Sequence, residues 1–327
     1  MQLRLQLIAV LLLTIASCAE LEAYDPLSAD RDRGPTRTIE VTVSDSSRQR
    51  EIPLLIYLPP GTAAAPVVMF SHGLGGSRHG NAYLGEHWSA RGFVVVYIQH
   101  PGSDESVWRD AERSQRMRAL RQAASVRNFL MRAKDIPAVI DALARWNKEG
   151  ANPLNGRLDL GKVGMSGHSF GAITTQALSG QRFLRQGAQF TDKRIRAAIA
   201  MSPSAPRLGD PEMAFSGVAI PWMLMTGTKD VAPIGDIDLK SRLAVFPALA
   251  PGSKYEVLLQ NAEHSAFNDR GLPGDREARN PNHHRIVLAL STAFWDATLR
   301  GDPAAKSWLD GEGPKSVLEP GDRWQHK

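Results

Sequence analysis

The sequence is poor in cysteine, in long apolar runs and in nucleotide-binding motifs, and each shortage removes a class of protein. Cys18 is the only cysteine in 327 residues, so no internal disulfide can form and the fold must rely on its core. The apolar stretch Leu7 to Ile15 is too short to span a bilayer. The glycine-rich turn Gly73-Leu74-Gly75-Gly76 is not followed by Gly-Lys-Ser/Thr, which excludes a phosphate cradle. Arginine dominates a net charge of +5, yet no recognised nucleic-acid motif accompanies it, so no nucleic-acid partner is expected. No internal repeat or low-complexity tract is present.

What the chain does have is an alternation of β-like and helical stretches. Thr38 to Val43, Pro53 to Leu58, Pro66 to Phe70, Phe93 to Ile98, Lys162 to Met165, Ile195 to Met201, Ile220 to Met225 and Tyr255 to Leu259 read as strands. With helices between them they predict a single α/β domain, a mostly parallel sheet covered on both faces. The first two runs, joined by polar Ser44 to Glu51, predict an antiparallel hairpin. Ile136, Val139, Ile140 and Leu143 recur at i, i+3, i+4 and i+7 and form one apolar helix stripe.

Gly167-His168-Ser169-Phe170-Gly171 is a G-x-S-x-G pentapeptide between a β-like run and the helix-like run Ala172 to Leu178. A serine hydroxyl is a poor nucleophile unless the backbone thrusts it toward a base, and small flanking residues permit the sharp turn that does so. Ser169 is therefore the candidate nucleophile, with the Phe170 amide turned to where an oxyanion would form. His168 leaves this elbow on the other side and reads as structural.

Downstream, Ile220 to Met225 runs into Thr226-Gly227-Thr228-Lys229-Asp230, which puts a carboxylate just past a buried strand. Asp236 and Asp238 compete for the same role. Tyr255 to Leu259 runs into Asn261-Ala262-Glu263-His264, an imidazole on a loop before the last helix. Its rivals His283 and His284 follow Asn280-Pro281-Asn282 and read as solvated residues of a first helical turn. The chain order Ser169, Asp230, His264 fits a nucleophile, an orienting acid and a general base. A second oxyanion donor is expected from Ser71-His72-Gly73-Leu74-Gly75-Gly76, whose glycines let a backbone amide approach a substrate oxygen. By position that amide is Leu74's, and His72 reads as a brace of the loop.

From about Arg48 to Arg300 the chain resembles the α/β-hydrolase superfamily, and within it the dienelactone-hydrolase-like and platelet-activating-factor-acetylhydrolase-like esterases. The resemblance is carried by Phe70 to Gly76, His100-Pro101-Gly102-Ser103-Asp104, Gly167 to Gly171, Thr226 to Asp230, and His264. It implies an α/β-hydrolase fold: a mostly parallel eight-stranded sheet with helices on both faces and a helical lid inserted after the fourth strand. It also implies hydrolysis of carboxylic esters through an acyl-enzyme, without cofactor or metal. Two departures narrow it. Dienelactone hydrolases proper resemble one another in a cysteine nucleophile, where this chain has Ser169. Some acetylhydrolase-like members carry the acid one strand earlier, where this chain reads Met201-Ser202-Pro203-Ser204 with no carboxylate before Asp210, which leaves Asp230.

Arg4 ahead of Leu7 to Ile15 marks residues 1–18 as an export segment. Ile15-Ala16-Ser17-Cys18 resembles a bacterial lipobox, in which Cys18 is diacylated and becomes the first mature residue. The alternative is cleavage after Ser17-Cys18-Ala19 and a soluble product. Residues 19–36 read as a tether, 37–300 as the catalytic domain with a lid insertion at about 101–133, and 301–327 as an ordered wrap that buries Trp308, Leu309 and Trp324. Arg109, Arg113, Arg116, Arg118, Arg121, Arg127 and Arg132 read as a solvated helix face. Val107, Trp108, Met117, Leu120, Phe129 and Leu130 of the same segment read as a cover that contacts the acyl group. His100 to Asp104 reads as shaping the turn. The sequence thus predicts an exported serine carboxylesterase for short or medium acyl esters. Its partner is a small-molecule or polymeric ester, and it meets a membrane only through a lipid on Cys18. Polyester or lipid-ester hydrolysis, acyl transfer and a non-catalytic binding role are the alternatives.

Overall fold

A computed structural model describes residues 24–28, 36–185, 187–235, 237–272 and 274–327. Cys18, the export segment and most of the expected tether lie outside the described residues. One sheet contains β1 (Arg37–Asp45), β2 (Arg50–Leu58), β3 (Ala65–Ser71), β4 (Val94–Ile98), β5 (Leu158–His168), β6 (Ile195–Met201), β7 (Trp222–Lys229), β8 (Lys254–Glu263) and β9 (Arg323–His326). Their spatial order is β1-β2-β4-β3-β5-β6-β7-β8-β9.

The pairings from β4 through β8 are parallel, whereas β1 with β2, β2 with β4 and β8 with β9 are antiparallel. The expectation of eight mostly parallel strands is therefore corrected to a mixed sheet of nine. The added strand is Arg-Trp-Gln-His, too polar and short to register as a strand in sequence. It exists as a pairing partner for the β8 edge, with Trp324 stacked on Tyr255 at 5.6 Å. β3, by contrast, is buried along its whole length, as a central strand covered on both faces must be.

The α-helices are α1 (Ala82–Ala90), α2 (Ser106–Arg109), α3 (Arg116–Ala123), α4 (Val126–Trp146), α5 (Phe170–Leu178), α6 (Pro211–Phe215), α7 (Leu239–Leu243), α8 (Val245–Ala248), α9 (Pro281–Trp295) and α10 (Pro303–Asp310). Trp88 of α1 and Ile286, Leu290 and Trp295 of α9 pack with Val68, Phe70 and Val95 on one face. On the other face the α4 stripe Ile136, Val139, Ile140 and Leu143 meets Val67, Met69, Val94 and Val96. Removing one such side chain, for example Leu143→Ala, is worth about 2–5 kcal/mol. α4 begins where the Ser125 hydroxyl accepts the Asn128 amide at 3.2 Å, and its stripe sets which side turns inward.

That same rotation buries Arg132, which corrects the reading of the seven arginines as one solvated face. Arg109, Arg113, Arg118, Arg121 and Arg127 are exposed and Arg116 is half-buried. Past α9 the chain closes on the sheet through buried Leu309 of α10 and the Tyr255 hydroxyl, which donates to Asp310 Oδ1 at 2.9 Å. Among the described residues no helix is long and apolar enough to cross a membrane.

Candidate active site

The candidate residues gather past the carboxyl ends of β3, β5, β6, β7 and β8, the edge at which open α/β sheets bind ligands. β5 ends at His168 and α5 begins at Phe170, so Ser169 makes the whole turn, at φ 57° and ψ −114°. A non-glycine residue in that region is strained and must be held there by its surroundings. The neighbouring glycines are what permit it. A Cβ at Gly167 would lie 2.5 Å from the Gly171 carbonyl oxygen, and one at Gly171 would lie 1.8 Å from that of Ser71. The Ser169 amide is spent on Met201 O at 2.9 Å. The amides of Phe170 and Leu74 donate to no protein acceptor among the described residues, and both residues are partly open to solvent.

His264 opens a short 3-10 turn directly after β8. Its Nε2 lies 2.9 Å from Ser169 Oγ and its Nδ1 2.6 Å from Asp230 Oδ1. An ionised carboxylate can only accept, so Nδ1 carries the proton and Nε2 is left as the acceptor for the serine hydroxyl. Asp230 is completely buried. Its Oδ2 accepts from Ser202 Oγ at 2.6 Å and Thr226 Oγ1 at 2.9 Å. Burial opposes its ionisation, but His264, Arg242 and the Ser202 hydroxyl outweigh burial and hold the carboxyl below the usual carboxylate range.

Arg242 of α7 is a residue that sequence reasoning missed. It is 1% exposed, and its Nε donates to Asp230 O at 2.7 Å while Nη1 donates to Ser202 O at 2.7 Å and Pro203 O at 3.1 Å. Nη2 reaches Asp230 Oδ1 at 3.0 Å and lies 3.1 Å from His264 Nδ1. Two N–H groups cannot bond each other, so the guanidinium and the imidazole share one carboxylate oxygen. Gly227 lets the ends of β7 and β8 meet: a Cβ there would lie 2.0 Å from Ala262 O. His168 packs on His264 with ring centroids 4.7 Å apart. Burial pushes its pKa well down, so the neutral ring donates Nε2–H to the His264 carbonyl at 3.0 Å.

On the β3 side, the His100 amide donates to His72 Nε2 at 3.1 Å, leaving Nδ1–H to donate to Gly73 O at 2.7 Å. Behind this loop, Ser71 Oγ donates to His100 Nε2 and His100 Nδ1 to Asp135 Oδ2, both at 2.9 Å. This second Ser-His-Asp chain is sealed from solvent, and burial holds His100 neutral, its pKa brought down to about 4. It backs the loop rather than facing a substrate. Over the loop's outer side, Trp108 Nε1 donates to Gly75 O at 2.7 Å. Of the rivals, Asp238, His283 and His284 lie elsewhere. Asp238 caps α7 through the Ser241 amide at 2.9 Å, and Asp236 is outside the described residues. His283 is buried against Gln260 O at 3.2 Å and His284 stacks on Tyr83 at 3.9 Å, so neither is the solvated residue expected.

Residues 57–204 match the family model of platelet-activating factor acetylhydrolase, isoform II, a family of the α/β-hydrolase superfamily. The mixed sheet with helices on both faces fits that superfamily. The matched stretch contains the Gly73–Gly76 loop and Ser169, and ends before Asp230 and His264. A search of curated proteins finds no match.

Proposed function

We propose that this protein is an exported serine esterase acting on short to medium acyl esters, with Ser169 as nucleophile, His264 as general base and acid, and Asp230 as the acid that orients it. The observation that carries the reading is the continuous chain of contacts from Ser169 Oγ through His264 to Asp230, at 2.9 Å and 2.6 Å. Ser169 Oγ attacks the ester carbonyl carbon as its proton passes to His264 Nε2. The negative oxygen that forms is held by the Leu74 and Phe170 amides, each such donor being worth about 10²–10³ in rate. His264 then protonates the departing alkoxide, and the acyl-enzyme is hydrolysed by a water that His264 activates in turn.

The family match favours acetyl or other short esters, including those of phospholipids, as the substrate class. α2 and α3 act as a lid over the oxyanion loop, through Trp108 and Leu120 at Gly75. Lipidation of Cys18 would hold the enzyme on the cell envelope, and mass spectrometry of the mature amino terminus decides this, an unmodified start after Ala19 counting against it.

The test is hydrolysis of a chromogenic ester panel of graded acyl length, with an acetylated phospholipid in the same series and Ser169→Ala beside the wild type. Cleavage by the wild type alone is expected. No cleavage, or equal cleavage by the variant, overturns the reading. Product analysis with a competing alcohol separates hydrolysis from acyl transfer.

A further inference from the structure

We propose that Arg132 is the positioning residue of the oxyanion hole, fixing the plane of the Gly73–Leu74 peptide and polarising its amide. The inference rests on the reading of Ser169 as nucleophile. Arg132 is fully buried, and its hydrogen bonds run to neutral groups: Nε to Ser103 Oγ at 2.8 Å, Nη1 to His72 O at 2.6 Å and Ser71 Oγ at 3.4 Å, and Nη2 to Gly73 O and Ser103 O, both at 3.3 Å. Burial lowers its pKa to about 9, which leaves it charged at neutral pH. An apolar side chain would fill this space without the cost of burying a cation, so packing alone does not account for an arginine here.

The Gly73 carbonyl is pinned by three donors, Arg132 Nη2, His72 Nδ1 at 2.7 Å and the Gly76 amide at 3.1 Å. In a trans peptide the carbonyl and the following N–H point in opposite directions. Holding Gly73 O toward Arg132 therefore turns the Leu74 N–H away from it. Gly73 itself abuts the nucleophile, since a Cβ there would lie 3.5 Å from Ser169 Cβ. A cation at the carbonyl end draws electrons through the same peptide and makes its N–H a stronger donor. Across the site the Arg132 guanidinium lies over the Phe170 ring, 4.4 Å from its centroid. One buried charge thus braces both residues whose amides face the developing oxyanion.

The experiment compares wild type, Arg132→Lys, Arg132→Met and His72→Ala for kcat and KM on a chromogenic ester and for inhibition by a trifluoromethyl ketone, whose adduct with Ser169 carries the oxyanion. Thermal melting is measured beside them. Expected is a loss in kcat of about 10²-fold for Arg132→Met, with KM little changed and ketone affinity weakened in proportion. A merely structural role would lower the melting temperature and leave the ketone-to-substrate affinity ratio unmoved. Folded Arg132→Met with wild-type kcat and ketone affinity overturns the inference. Should Arg132→Met not fold, Arg132→Lys, which keeps the charge but not the planar fork that bonds His72 O and Gly73 O together, decides by the same readings, and His72→Ala reports separately how far a second donor to Gly73 O shares the task. Wild type that turns over no ester defeats the reading of Ser169 and this inference together, whereas active wild type matched by Arg132→Met defeats this inference alone.

Discussion

Gly171 and Ser71 lie so close that a Cβ at position 171 would sit 1.8 Å from the Ser71 carbonyl oxygen. No side-chain rotation relieves that contact, because the backbone fixes the position of the Cβ and of the carbonyl oxygen alike. Gly171→Ala must push α5 off β3, and with it the turn that holds Ser169 at positive φ. We expect a loss of about 1–3 kcal/mol in stability, or more, together with most of the activity. Urea unfolding and ester turnover of the variant measure both.

Asp230 and Ser202 separate the acid from its support. Asp230→Asn keeps the shape but favours the wrong imidazole tautomer, and kcat should fall by about 10³–10⁴-fold. Ser202→Ala removes one of several bonds to the carboxylate and should cost about 10-fold or less. Turnover numbers for the two variants check the order, and an equal loss in both would contradict it.

Arg242→Met leaves the Asp230, Ser202 and Pro203 carbonyls without their donor and strips a cation from a buried carboxylate. Breaking such a buried pair typically costs about 3–5 kcal/mol. The unfolding midpoint in urea should drop accordingly, and a midpoint equal to wild type would mean that the pair contributes little.

Most of the strands could be read from apolar runs because burial on both faces leaves no room for polar residues, as in β3. The short polar β9 could not be read that way, since what makes it a strand is the unpaired edge of β8. Ser169, Asp230 and His264 were visible because each follows directly on such a run, or nearly so. Arg132 and Arg242 were not, because in sequence an arginine reads as solvent-facing. A signal was present all the same. Arg132 stands four residues before Ile136 on the inward stripe of α4, and Arg242 stands three and four residues before buried Val245 and Phe246. An arginine on an apolar face implies a partner buried with it.

Buried histidines contribute to the response to acid, His87 and His284 in part and three others more strongly. His72, His100 and His168 are buried and neutral, with pKa values depressed by burial, that of His100 to about 4. In the unfolded chain each returns to about 6.5 and binds protons more readily, so stability present above that pH is lost as pH falls toward the folded values. For His100 the loss between pH 7 and 5 is about 2 kcal/mol. Unfolding midpoints across this range should decline steadily, and His100→Gln should flatten the decline. A midpoint independent of pH from 7 to 5 would contradict this.

The most direct measurement is covalent trapping with a fluorophosphonate, followed by intact mass and peptide mapping. The account predicts one adduct per chain, on Ser169, formed at least about 10³-fold more slowly in His264→Ala. Wild type that stays unmodified, or an adduct that forms equally in Ser169→Ala, would contradict it.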